Sequence, residues 1–367
     1  MKSITIVGAG RIGSMIADLL AGCGDYAVEV IDQSPEQLDA LKTTSPISKR
    51  VLDLSLGKGL KETLAGKFAV LSAAPYHLTT VIAEAAKAAG AHYLDLTEDV
   101  ASTRTVKRLA EDAKTAFIPQ CGLAPGFITI VASALARGFD ELQDVRMRVG
   151  ALPKFPSNAL NYNLTWSTDG VINEYCEPCE AIVNGRLCET AAMEECEEFS
   201  LDGVTYEAFN TSGGLGALCD TLAGKVRNLN YRTIRYPGHA AIMKALLNDL
   251  GLRHRRGVLK DILENALPTT LQDVVIVFVT VSGWKAGHLV QETYVNKVYA
   301  APLGGQMRSA IQITTAAGIC AVLDMLACGA LPQSGFIRQE DIGLDSFLAN
   351  RFGRLYLGAE AQAAAVA

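Results

Sequence analysis

Ile4-Thr5-Ile6-Val7-Gly8-Ala9-Gly10-Arg11-Ile12-Gly13 takes the chain from a short apolar run, through a glycine-spaced turn, into the amphipathic stretch Arg11–Ala21. The glycine spacing is G-x-G-x-x-G. Alone it is a weak signal; between a strand and a helix it has a physical meaning. Gly8 permits a tight turn, Gly10 lets a phosphate approach the backbone, and Gly13 lets helix and strand pack closely. The helix start, with Arg11 and Ile12 as its first residues, offers unpaired N–H groups and the positive end of a dipole to an anion. A second apolar run, Ala27–Ile31, ends at Asp32, 19 residues beyond Gly13. A carboxylate there accepts hydrogen bonds from ribose hydroxyls and repels a 2′-phosphate. Gln33 and Ser34 follow, with no arginine to receive such a phosphate. The motif points to NAD rather than NADP, with the Arg11 guanidinium as the one group that could reach a phosphate instead.

Working outward, Phe68–Leu71, His92–Leu94 and Ala116–Ile118 are further strand-sized apolar runs. Helix patterns lie between them, at Pro35–Leu41, Leu78–Ala89 and Ala101–Ala113. Ser34 before Pro35 is a helix start, with Ser as N-cap and Pro at the first helical position. This alternation predicts an α/β fold with an N-terminal doubly wound parallel sheet, a Rossmann domain. The pattern changes near Gly122. Val145, Met147 and Val149 alternate with Arg146, Arg148 and Gly150, as in a half-exposed strand. Val274–Val281 and Val290–Tyr299 are β-rich, and Gly283-Trp284-Lys285-Ala286-Gly287 reads as the hairpin turn between them. The middle of the chain is therefore expected to be an inserted α+β domain. A long helix from Ser309 to Cys328, closed by Gly329 and Pro332, is expected to return to the Rossmann sheet. The predicted division is 1–122 with 306–367 for NAD binding, and 123–305 for substrate binding and dimerisation. The Ala-rich tail from Gly358 is expected to fray.

Composition narrows the function class. Hydrophobic residues make up 49% and charged residues 20%, which excludes an intrinsically disordered chain. A net charge of −6 gives no attraction to nucleic acid or to an anionic membrane. Nine cysteines at irregular spacings read as reduced thiols of a cytoplasmic protein. Cys176-Glu177-Pro178-Cys179 lacks the second close pair that tetrahedral zinc needs and does not open a thioredoxin-like helix, so no metal is expected. The glycines at 8, 10 and 13 interrupt the apolar opening, so it is not read as a leader, and the longest apolar run, Val274–Val281, is strand-sized.

Several further segments carry a resemblance. They are Ala73-Ala74-Pro75-Tyr76-His77, Tyr93-Leu94-Asp95-Leu96-Thr97-Glu98-Asp99, Gly122-Leu123-Ala124-Pro125-Gly126, Trp166-Ser167-Thr168-Asp169-Gly170, Glu207-Ala208-Phe209-Asn210-Thr211-Ser212-Gly213-Gly214 and Arg235-Tyr236-Pro237-Gly238-His239. Together they resemble the saccharopine dehydrogenase-like family, nearest to its bacterial L-lysine 6-dehydrogenase branch, over nearly the whole chain to about Tyr356. The chain departs from some relatives at Ala124, where they carry Asp. The resemblance implies a second domain inserted between the Rossmann sheet and its returning helix. It also implies NAD-dependent oxidation of the ε-amine of L-lysine to 2-aminoadipate 6-semialdehyde, which cyclises to a piperideine carboxylate, with release of ammonia. The alternatives are a saccharopine or carboxyspermidine-type reductase, whose extra substrate carboxylate needs extra basic residues, and an NAD-binding regulatory protein without turnover.

The chemistry selects candidates. An ε-ammonium must lose a proton before hydride leaves its carbon, so a base is needed near the nicotinamide. In a doubly wound sheet the loops after the strands lie at that ring. Glu98, Asp99 and His77 are the candidates, and Ala73, Ala74 and Pro75 are expected beside the cofactor. Glu98 and Asp99 can equally cap the helix near Val100, and His77 can be a surface residue at a helix start. A substrate α-carboxylate calls for a bidentate arginine, here Arg235. Tyr76, Trp166 and Phe209 are suited to wall an aliphatic stem, though Trp166 is equally a core residue. Ser167, Asn210, Thr211 and His239 are candidates for the amino-acid head. The partner is a small-molecule substrate, and the exposed β-rich second domain predicts a homodimer.

Overall fold

The structure, a computed structural model, describes residues 1–54 and 59–357; the tail from Gly358 lies outside the described residues. The chain divides into two compact units. The first comprises Met1–Phe127, Pro302–Gln306 and the chain from Gln312 onward; the second comprises Ile128–Ala301 and Met307–Ile311.

The first unit is built on β1 (Lys2–Val7), β2 (Tyr26–Asp32), β3 (Ser48–Val51), β4 (Ala69–Ser72), β5 (His92–Asp95) and β6 (Ala116–Ile118). With the short strand Gly335–Phe336 beyond β6, they form a parallel sheet ordered β6-β5-β4-β1-β2-β3. Ile4, Ile6, Val30, Ile31, Val70 and Leu71 are fully buried, which is why these strands appear as unbroken apolar runs. The order reverses between β1 and β4, and in such sheets ligands bind beyond the carboxyl ends of the strands at that reversal. The strand β3 is absent from the sequence reading because all four of its residues are exposed. It is a charged edge strand, carrying Lys49 and Arg50, of the kind that discourages edge-to-edge pairing.

Local chemistry sets the helices. Helix α1 (Arg11–Gly22) follows the glycine turn. In the helix Pro35–Ala40, Ser34 accepts the Gln37 N–H at 3.1 Å, and Pro35 occupies the first position. The helix Ala310–Ala327 is long and apolar enough to cross a membrane by length and composition, but 89% of it is buried. From Gln312 onward it returns to the Rossmann sheet: the Tyr26 hydroxyl donates to Asp324 at 2.8 Å, and Gly318 lies so close to the Cys121 carbonyl that a Cβ would come within 2.5 Å of it.

The second unit contains β7 (Glu141–Pro153), β8 (Cys179–Val183), β9 (Arg186–Thr190), β10 (Glu197–Leu201), β11 (Val204–Asn210), β12 (Val226–Arg235), β13 (Asp273–Lys285) and β14 (His288–Tyr299). They form one mixed sheet, ordered β10-β11-β12-β7-β13-β14, with β8 and β9 attached at β12. The β13–β14 turn is tighter than the sequence suggested. Only Ala286 and Gly287 form it, at φ of 50° and 79°, the positive values that a two-residue type I′ turn requires. Gly283 belongs to the strand. It sits at a register shift where a Cβ would lie 2.1 Å from the Glu141 carbonyl oxygen, so it serves close backbone approach rather than turning. One face of this sheet packs Leu152, Ala208, Ile234 and Ile276 together. The other carries Phe209 into a cluster with Tyr162, Tyr175, Met243 and Leu259.

Candidate cofactor and substrate sites

The glycine turn is shaped by close approach. Gly8, at φ +104°, lies against the Ala73 carbonyl, where a Cβ would sit 2.8 Å from the oxygen. A Cβ on Gly13 would lie 1.9 Å from the Gly8 oxygen. Gly10 differs: a Cβ there would meet nothing within 4 Å, so open space faces its backbone. Gly10 also caps α1 with no side-chain hydrogen bond, and the first helical turn holds no acidic residue. Free N–H groups, open space and the positive end of a helix dipole suit a pyrophosphate. Asp32, at the end of β2, accepts the Ala9 N–H at 2.6 Å and the Ser34 N–H at 2.9 Å. A carboxylate has roughly four acceptor positions, so two remain for hydroxyl donors. Arg11 is exposed at the helix start, and Ile12 follows it half-buried. Ala73 and Ala74 are half-buried after β4, with Pro75 exposed beyond them. These residues fit a nicotinamide dinucleotide.

Three catalytic candidates lie in the same unit and fare differently. His77 is exposed in the turn Tyr76–Leu78, beside a half-buried Tyr76. Asp99 caps the helix Val100–Ala110, accepting the Ser102 N–H at 2.7 Å, so that carboxylate is committed to the backbone. Glu98 is half-buried. Burial pushes its carboxyl up to about 7, and the charges of Asp99 and Asp95 add to the effect. A group titrating there can exchange a proton near neutral pH. Asp95, which the motif reading passed over as chemistry, is buried at the end of β5. It accepts from the Tyr93 hydroxyl (2.8 Å), the Gln120 N–H (2.8 Å) and the Thr97 N–H (3.1 Å), and so ties together the loops after β5 and β6. Burial raises its carboxyl to about 6.

In the second unit Arg235, at the end of β12, is only 2% exposed. Its Nε donates to the Tyr175 hydroxyl and its Nη1 to the Ile234 carbonyl, both at 2.8 Å. The guanidinium lies over the Tyr162 ring, 5.0 Å from the centroid. Among the described residues it has no ion pair. Glu207, its cross-strand neighbour, is spent on the Gly238 and Ala240 N–H groups at 2.9 and 2.6 Å. Tyr162 Oη, Asn163 Oδ1 and Thr165 Oγ1, buried in the loop before Trp166, also lack a well-formed hydrogen bond among the described residues. The charge of the buried Glu174 acts on the Arg235 guanidinium and offsets part of the cost of burying it, and an anionic ligand would offset more.

His239 has another place. Its ring is buried, with Nδ1 2.9 Å from the Leu160 carbonyl and Nε2 3.1 Å from the Tyr175 hydroxyl. Burial first, and then the Arg235 charge, push its pKa down to about 3, so the ring is neutral. A consistent assignment has Nδ1–H donating to Leu160 and Nε2 accepting from Tyr175, whose oxygen accepts from Arg235. His239 thus holds Tyr175, and Tyr175 orients Arg235. Tyr175 has no distinguishing mark in the sequence, and Glu207 only its place in a family-like segment, since their roles come from neighbours far along the chain.

The other candidates divide. Thr211 shares a hydrogen bond of 2.7 Å with Thr233, and Phe209 pairs across from Thr233 on the Arg235 face. Trp166 packs on the Tyr175 cluster, its ring lying where a Cβ on Gly170 would be. Ser167 caps the helix Thr168–Cys176 through the Gly170 N–H at 3.1 Å. Asn210 must be corrected. It pairs with Arg232, and successive strand residues point to opposite faces, so its side chain lies on the far face of the sheet from Arg235. All nine cysteines are free thiols, and the described residues hold no group of three or more His, Cys, Asp or Glu able to bind a metal.

The reversed parallel sheet, the glycine cradle and the carboxylate ending β2 define the class: a Rossmann protein built for a nicotinamide dinucleotide. The chain belongs to the saccharopine dehydrogenase family, whose members are oxidoreductases. Residues 4–117 match the model of the saccharopine dehydrogenase NADP binding domain, and residues 122–354 that of the saccharopine dehydrogenase C-terminal domain. The family read from the motifs is thereby shown. The fold is similar to that of apo saccharopine dehydrogenase (L-Glu forming) from Saccharomyces cerevisiae, with a TM-score of 0.78 at 16% identity, over 93% of this chain and 94% of that one. The mitochondrial alpha-aminoadipic semialdehyde synthase of Bos taurus is 23% identical over 198 residues, and that of Rattus norvegicus 21%. Each match spans 51% of this chain and 21% of the relative, about a fifth of its length.

Proposed function

We propose that this protein oxidatively deaminates the ε-amine of L-lysine with NAD. The observation that carries this reading is Arg235, a fully buried guanidinium without an ion pair, whose planar fork suits the α-carboxylate of an amino acid. The balanced reaction is R–CH2–NH3⁺ + NAD⁺ + H2O → R–CHO + NADH + NH4⁺ + H⁺. The bound nicotinamide supplies the hydride acceptor. Glu98 takes the proton that the ε-ammonium must lose, because its carboxyl is held near neutrality rather than in the usual carboxylate range. Arg235 fixes the carboxylate end, kept in orientation by Tyr175 and the neutral His239. Asp32 supports NAD over NADP, since a 2′-phosphate would meet its charge.

The family also supports a saccharopine-type reaction, in which the amine nitrogen carries a second dicarboxylic residue. That substrate brings two further carboxylates, which call for further cationic partners. The experiment is a turnover panel of L-lysine, cadaverine, saccharopine and carboxyspermidine with NAD and with NADP, following nicotinamide absorbance and ammonia. NADH and ammonia from lysine support the reading. Turnover of saccharopine alone moves the assignment to the other branch, and tight NAD binding with no turnover makes the protein a sensor.

A further inference from the structure

The face of the second unit's sheet opposite Arg235 holds a cavity of about 270 Å³. Along one edge of β12, β8 pairs at Leu229, and β11 pairs only from Arg232 onward. The cavity lies where these two strands part, beside Asn230. Two buried polar atoms of its lining residues lack partners among the described residues: Asn210 Oδ1, in a residue 2% exposed, and Arg232 Nε.

The remaining polar atoms of both side chains are engaged. Arg232 Nη1 and Nη2 pair with Glu197 and Glu195, each at 2.9 Å. Asn210 Nδ2 donates to Thr190 Oγ1 at 3.4 Å, while the Thr190 hydroxyl donates to the Cys179 carbonyl at 3.4 Å. Because that hydroxyl proton is committed to Cys179, the threonine oxygen can only accept from Asn210, which sets the amide orientation and leaves Oδ1 as a buried acceptor. An acceptor and a donor without partners therefore stand on directly opposed cross-strand residues, whose Cβ atoms are about 5 Å apart.

That pair asks for a ligand presenting an N–H and an oxygen side by side, and a guanidinium nitrogen favours an anionic oxygen. We propose that this cavity binds a free α-amino acid, its ammonium on Asn210 Oδ1 and its carboxylate on Arg232 Nε, as a ligand that is not turned over there. The lining suits a zwitterion: with Arg232 it holds Arg146 against Asp144 and Glu195, two charges of each sign, while Ala181 and Val183, which alternate with Ile182 along β8, give an apolar wall for a side chain. The site is independent of the lysine reading.

The test is calorimetric titration of the full chain, without cofactor, with glycine, L-alanine and L-lysine in turn. Ethylamine, acetate and glycerol serve as controls, each carrying only part of the head-group chemistry. Val183→Trp plugs the cavity from a position that is 41% exposed, where a larger side chain leaves the core intact. Arg232→Gln removes the donor, and Arg235→Lys alters the other face. The proposal expects one amino-acid site that survives Arg235→Lys, weakens at least tenfold in Val183→Trp and in Arg232→Gln, and takes none of the controls. Absence of saturable binding, binding that Val183→Trp leaves unchanged, or equal binding of glycerol overturns it. Binding lost only in Arg235→Lys also overturns it while leaving the lysine reading standing. Glycine binding retained in a protein that never turns over lysine overturns the lysine reading alone.

Discussion

Arg235→Lys should reduce lysine turnover without touching the dinucleotide. In the native protein the guanidinium does several things at once. It donates Nε to Tyr175 and Nη1 to the Ile234 carbonyl at 2.8 Å, and it lies over the Tyr162 ring. A planar fork can keep those bonds and still present another edge to a carboxylate; an ammonium is a point charge on a flexible stem and cannot. The loss is that of a hydrogen bond to a charged group, about 1.5–3 kcal/mol. In kcat/KM this is roughly 10- to 150-fold. The assay is steady-state NADH formation with L-lysine and with cadaverine, which lacks the carboxylate, together with a fluorescence titration of NADH. Lysine should lose its advantage over cadaverine, while cadaverine turnover and NADH affinity stay as in the parent. A cadaverine rate that falls as far as the lysine rate would mean that Arg235 serves the fold rather than the carboxylate.

Gly10→Ala should leave the thermal midpoint unchanged, because a Cβ there meets nothing, yet weaken NADH binding roughly tenfold or more by intruding on the phosphates; Gly13→Ala, whose Cβ would collide with the Gly8 carbonyl, should lower the thermal midpoint as well. Asp32→Ala should weaken NAD binding and narrow the preference over NADP, read from the two dissociation constants, and a parent that already prefers NADP contradicts the role given to that carboxylate. Turnover of lysine should rise with pH through about 7 and lose that step in Glu98→Gln; an unchanged profile removes Glu98 as the base. Glu98 also bears on stability. Its folded pKa lies above the ordinary glutamate value of about 4.5, so its contribution is fully present below about 4.5 and is lost as pH rises through about 7. Glu98→Gln should therefore melt higher than the parent above that range, and a lower midpoint there refutes the assigned burial.

The dinucleotide half was legible because its signals are local. Gly8, Gly10 and Gly13 act within one turn, and buried parallel strands print themselves as apolar runs. The strand β3 escaped because an exposed, charged edge strand has no such run. The substrate half was legible only by residue type. Arg235 stood out as a cation in an apolar segment, but the partners that define its setting, Tyr162, Tyr175, His239 and Glu207, converge from distant elements. Asn210 was misplaced for a simple reason: neighbours in sequence at a strand end point to opposite faces, and only the register with β12 decides which. Asp99 was readable both as acid–base group and as helix cap, and the Ser102 N–H decides for the cap.

The most direct test of the account is a single incubation of the purified chain with L-lysine and NAD, scored for NADH and ammonia together. NADH and ammonia should appear in equal amounts, at a rate that climbs as pH rises through about 7, with little product when NADP replaces NAD. No NADH from lysine under conditions where saccharopine or carboxyspermidine is turned over would contradict it.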